Sequence, residues 1–137
     1  MISSFNSSTQ TLTTNESLLF NSNRILTGCT ITHAEGTSSF VLHKPGYYYV
    51  SFNGSGCTAD TAGNITVTLF SNGTEVSGAN ATDYSTATDT FRNLSFSTIV
   101  KVLPSCCYVD NTTTLTFQNT GIGAIFDDVN VNITKLC

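Results

Sequence analysis

The 137-residue sequence predicts an all-β domain, a two-sheet antiparallel sandwich, on three observations. Apolar residues alternate with Thr and Asn in short runs, the period of a half-buried strand. Gly, Asn, Asp and Pro punctuate these runs roughly every 8 to 15 residues, as the turns of a sandwich do. No stretch sustains an apolar repeat of helical period.

The first 15 or so residues are a Ser/Thr/Asn tract with Ile2, Phe5 and Leu12 as its apolar anchors. They read as an extended arm, so residues 1–25 are expected to be an attachment segment and 26–137 the folded domain. Short strands are expected at Ser17–Phe20, Thr30–His33 and Phe40–Leu42. The most informative run follows. Lys44-Pro45-Gly46 is a turn that feeds Tyr47-Tyr48-Tyr49-Val50-Ser51-Phe52, six residues rich in β-formers. Alternation puts Tyr48, Val50 and Phe52 on one face and Tyr47, Tyr49 and Ser51 on the other. A sandwich strand needs one apolar face, so the second implies contact with another subunit.

Asn64–Phe70 alternates Ile65, Val67 and Leu69 inward against Thr66 and Thr68, and Asn72-Gly73 then predicts a tight hairpin into Thr74–Val76. Gly78–Thr88, made of small and polar residues, reads as a loop in which Asp83 and Tyr84 are the candidate ligand contacts. Phe91–Leu103 is a long strand ended by Pro104. Thr112–Phe117 and Val129–Thr134 complete a sandwich or jelly roll of about eight to ten strands. The expected core is Phe40, Leu42, Tyr48, Val50, Phe52, Ile65, Val67, Leu69, Leu94, Phe96, Val100, Val102, Leu115, Phe117, Val129, Val131 and Ile133. Burial of side chains of this size is the main force opposing the chain's ordering entropy.

Composition narrows function. Ser and Thr make up 40 of the 137 residues, and 5 Lys+Arg stand against 9 Asp+Glu for a net charge of −4. No basic patch is available to neutralise phosphates, so nucleic-acid binding is not expected. No apolar run reaches membrane-spanning length. The N-terminus lacks the basic start and apolar middle of a signal peptide, which implies synthesis in a cytoplasm.

The chemistry-bearing residues form no catalytic or metal pattern. His33 and His43 are near no cysteine, and Cys29, Cys57, Cys106, Cys107 and Cys137 lack Cys-x-x-Cys spacing. Buried reduced thiols are the simplest reading, with Cys106, Cys107 and Cys137 as candidate cross-links. Asp127 and Asp128, adjacent on a strand, are expected on opposite faces; in a loop they would need Asp110 or Asp89 to hold calcium, without the ligand spacing of a calcium loop. Neither a Ser-His-Asp arrangement nor a phosphate-cradling loop is present. No cofactor, metal or enzymatic activity is expected. The Asn-x-Ser/Thr triplets, such as those at Asn53, Asn64 and Asn93, arise by construction wherever polar residues recur at every second position of a strand.

Taken together, Pro45-Gly46-Tyr47-Tyr48-Tyr49-Val50-Ser51-Phe52, the Ile65 to Asn72-Gly73 strand, the Leu94–Leu103 strand and the alternating Val129–Ile133 end resemble the jelly roll of the tumour necrosis factor family and of complement globular heads. The resemblance covers about residues 28 to 136. Leu103-Pro104-Ser105-Cys106-Cys107 replaces the Gly-Asp turn of complement heads, and the Thr/Asn-rich chain with Ile133-Thr134-Lys135-Leu136 is more similar to versions in phage virion and bacterial spore-surface proteins. The resemblance implies a homotrimer whose inner sheet is built by the tyrosine, long and last strands, with Tyr47, Tyr49, Ile99, Asn130 and Asn132 at the interface. It further implies a virion protein, a capsid decoration, head fibre or fibre tip, attached to a capsid or other virion protein through its N-terminal arm. A receptor tip for bacterial surface glycans and a cell- or spore-surface filament are the alternatives.

Overall fold

The computed structural model of the chain describes residues 1–104 and 112–136. Eleven strands run in chain order among them: β1 (Ile2–Asn6), β2 (Gln10–Leu12), β3 (Ser22–Leu26), β4 (Ile31–Thr32), β5 (Phe40–Leu42), β6 (Gly46–Thr58), β7 (Gly63–Ser71), β8 (Thr74–Ser85), β9 (Arg92–Val102), β10 (Thr113–Asn119) and β11 (Ala124–Lys135). The first sheet has the order β3-β1-β11-β6-β9, with β2 also on β11; the second has the order β4-β5-β10-β7-β8. Every pairing is antiparallel. The two sheets face each other as a sandwich, the all-β class that the sequence predicts.

Alternation places the core. Tyr48, Val50 and Phe52 point inward from β6, Ile65, Val67 and Leu69 from β7, and Val129, Val131 and Ile133 from β11, each buried. The Tyr48 hydroxyl donates to the Lys44 carbonyl at 2.6 Å, which satisfies its one buried polar atom. At the centre Phe20, Phe40, Phe52 and Phe117 pack edge-on or stacked, with ring centroids 5.2 to 6.0 Å apart. Phe96 is half-buried and stacks on Phe52 at 5.4 Å. The other sixteen residues of the expected core are buried.

The N-terminal segment is a correction. Residues 1–25 are no arm: β1 lies inside the first sheet between β3 and β11, paired from Ile2↔Ile133 to Asn6↔Val129. Ile2, Leu12, Leu18 and Phe20 belong to the core. Sparse apolar content misleads because the buried polar side chains here are all satisfied. Ser4 Oγ donates to the Ser22 carbonyl at 2.9 Å and Asn6 Nδ2 to the Leu19 carbonyl at 3.0 Å. A hydrogen-bonded Ser or Asn can occupy a position that pattern reading reserves for an apolar residue.

Asn119 anchors the same segment. It is fully buried, and its Nδ2 donates to the Leu12 carbonyl at 3.1 Å and the Ile122 carbonyl at 2.9 Å. Its Oδ1 accepts from the Gly121 amide at 3.1 Å. Gly121 must lack a side chain, because a Cβ there would stand 2.5 Å from the Asn64 carbonyl oxygen.

A second correction concerns Gly78–Thr88. Most of it is strand β8, which pairs with β7 from Asn80 to Ser85 after a register shift. Ala79 and Ala81 supply its inward contacts, too small to register as an apolar stripe. The Asn72-Gly73 turn is as expected, with φ of 50° and 80°, the left-handed pair that a two-residue hairpin requires.

Candidate assembly face

The outward surface of the first sheet is built by strict alternation across four hydrogen-bonded strands. Directly opposed residues share a face, so the register lays the outward side chains in rows. One row joins Tyr47 to Lys101, and the next joins Thr134, Tyr49 and Ile99. The third runs Ser3, Asn132, Ser51, Ser97, and the fourth Phe5, Asn130, Asn53, Ser95. All five of Tyr47, Tyr49, Ile99, Asn130 and Asn132 therefore stand on one face.

The face is divided by chemistry. Tyr47, Tyr49 and Ile99 are 44, 42 and 57 % exposed, an apolar patch on regular sheet. Lys101 Nζ lies 5.7 Å from the Tyr47 ring centroid and sits at the patch's rim. The third and fourth rows are almost wholly Ser and Asn. Sequence alternation identifies the tyrosines; the pairing supplies Ile99 as the direct neighbour of Tyr49.

Asp83 and Tyr84 do not converge on a site. Asp83 opposes buried Ile65 and so faces the gap between the sheets, whereas Tyr84 opposes Asn64 on the outside. The Asp83 carboxylate is held by Arg92 Nε at 3.1 Å across the two sheet edges. That hydrogen bond, followed by one from the Tyr84 amide, draws the Asp83 pKa below the usual carboxylate value. The loop reading of these two residues is corrected to a strand with an inter-sheet clasp.

Other singled-out residues fall elsewhere. Cys57 is buried, its Sγ donating to the Thr88 carbonyl at 2.8 Å; burial, then Asp89, pushes its pKa up and disfavours the thiolate. Cys29 is exposed. Cys106, Cys107 and Cys137 lie outside the described residues, as does Asp110. His33 is buried and stacked on Phe40 at 4.3 Å, with Nδ1 2.8 Å from Asn23 Oδ1 and Nε2 2.9 Å from the Thr37 carbonyl. Burial outweighs the Thr37 carbonyl and Glu35 and lowers its pKa. Asp127 and Asp128 do not alternate: the β11–β6 register shifts between Asp127 and Asn130, and Asp128 takes a φ of 50°. Among the described residues no cluster of His, Cys, Asp and Glu is disposed to hold a metal, and no helix is long and apolar enough to cross a membrane.

No family model matches the chain, and no curated protein matches it. Solved structures do. The vertex protein P5 of the phage PRD1 aligns over 99 % of this chain and 96 % of its own, at 14 % identity and a TM-score of 0.62. Murine APRIL, of the tumour necrosis factor family, aligns over 96 % and 98 %, at 8 % identity and a TM-score of 0.58. The chain is a tumour necrosis factor-like jelly roll. In this jelly roll the tyrosine strand β6 lies inside the first sheet, between β11 and the edge strand β9, and so presents its second apolar side as surface rather than edge.

Proposed function

We propose that the chain is a non-enzymatic structural subunit of a phage particle, a homotrimer serving as a capsid decoration, head fibre or fibre-tip domain. The observation that carries this reading is the patch of Tyr47, Tyr49 and Ile99 on the outward face of β6 and β9. Large aromatic side chains held on regular strands lose little conformational freedom when a partner covers them, which suits a contact between copies. Asn130 and Asn132 continue that face as its polar, hydrogen-bonding part, the usual composition of a rim. The likeness in fold to a phage vertex protein supports the particle.

Attachment to a capsid or other virion protein is assigned to the N-terminal portion, in altered form. Because β1 is locked between two strands, the surface left for a partner is the outer edge of β3, where Ile25 and Leu26 are 39 and 49 % exposed. Edge strands with exposed apolar residues are sites of strand addition and docking. Light scattering on the purified chain tests the assembly: a mass of three chains supports it, and a mass of one chain overturns it.

A further inference from the structure

The fourth row of the outward face ends in a groove between β3, β1 and β11, with a volume of about 160 Å³, lined by Phe5, Asn6, Arg24, Asp128, Val129 and Asn130. Three features make it more than a dent between side chains. Arg24 is seated with its guanidinium carbon 4.7 Å from the Phe5 ring centroid, a contact that fixes the head group at the groove. Asp128 is the extra residue of the β-bulge in β11, held at a φ of 50°, and its backbone turn directs it to the groove instead of into the alternation. Among the described residues, Arg24 makes no ion pair, and Asp128 is exposed at the groove. Left-handed backbone is uncommon outside glycine, Asp being one of the residues that tolerate it, and at a bulge it re-aims the side chain.

We propose that this groove binds a single neutral sugar ring. The charge pattern decides the class. An anion would gain Arg24 but meet Asp128, and a cation the reverse, whereas vicinal hydroxyls both donate and accept. Asp128 accepts two hydroxyl protons, Arg24 donates to hydroxyl oxygens, and the Asn130 amide does both. Phe5, half-buried, adds the apolar surface against which the C–H side of a sugar ring packs, and the volume admits one ring. The site borders the assembly face through Asn130, at its polar rim, and stands apart from the apolar patch of Tyr47, Tyr49 and Ile99. Asn130 lies four residues along β11 from Thr134, the neighbour of Tyr49, a separation of roughly 13 Å at about 3.3 Å per residue.

Titration of the ¹⁵N-labelled full chain with methyl β-galactoside, methyl β-glucoside, methyl α-mannoside and, as a charged comparison, sodium glucuronate tests the proposal. At least one neutral glycoside is expected to give saturable shifts confined to the amides around Phe5, Arg24 and Asp128–Asn130. Arg24→Met and Asp128→Asn should each raise the Kd about tenfold, the latter without disturbing the fold because Asn accepts the left-handed backbone. Tyr49→Asp should bind the sugar as the wild type does, which separates this site from the assembly reading. No saturable shift from any neutral glycoside overturns the proposal. Shifts unchanged in both variants, or tighter binding of glucuronate than of the glucoside, overturn it as well.

Discussion

Tyr49 and Ile99 face each other directly across β6 and β9, and both project from the sandwich, 42 and 57 % exposed. Their inward neighbours, Tyr48 and Val100, are buried by the same alternation. One pair of strands thus serves the core with one set of side chains and a second surface with the other.

Tyr49→Asp combined with Ile99→Asp is expected to convert the proposed trimer to a monomer. Three copies of each charge would meet across a desolvated patch, where like charges cost several kcal/mol. The far-ultraviolet circular dichroism should stay unchanged, because both positions are exposed in the single chain. Light scattering reads the outcome; a variant that keeps a three-chain mass rules this patch out as the contact.

Deleting residues 1–12 should abolish cooperative folding. The truncation removes β1 and β2, strips Ile2 and Leu12 from the core and bares β11 along one side. A dispensable arm would leave the melting transition in place. Differential scanning calorimetry distinguishes the two results.

Asn119→Ala should destabilise the fold by about 3 kcal/mol, because the carbonyls of Leu12 and Ile122 and the Gly121 amide lose their partner in a buried setting. Denaturation in urea measures the loss. Hydrogen exchange should quicken first around residues 12–15 and 121–123, where the side chain ties two segments together.

The Asp83 clasp carries a defined pH signature. Its carboxyl pKa is lower in the folded chain than the unfolded value of about 3.9, so its contribution is fully present above that value. The contribution disappears as pH falls through the lower folded pKa. In Arg92→Met the Asp83 carboxyl should titrate closer to its unfolded value, as read by carboxyl ¹³C shifts. High salt should weaken the same effect in the wild type, since the pair is open to solvent.

The parts of the fold that were legible share one property: a side chain large enough to make alternation visible. Tyr47 to Phe52, Ile65 to Leu69 and Val129 to Ile133 announce both their strands and their inward faces. Two regions were not legible. In β1 the inward position beside Ile2 is Ser4, kept buried by a hydrogen bond to the Ser22 carbonyl, and in β8 the inward positions are Ala79 and Ala81. Small or hydrogen-bonded residues can fill a sandwich interior without leaving an apolar period behind. The site divides in the same way. Tyr47 and Tyr49 could be read from period two, but the row joining Tyr49 to Ile99 and the groove joining Arg24 to Asp128 depend on long-range register.

The pairing of Ile2 with Ile133 also governs when the molecule can exist. β11 sits between β1 and β6, so neither acquires that neighbour until the chain as far as Ile133 has left the ribosome. During synthesis one flank of β6, with its three consecutive tyrosines, stands open to stray strands, and closure must await the distant contact between Ile2 and Ile133. Such a chain matures late and comparatively slowly, in a single closing event rather than by accretion from its N-terminus.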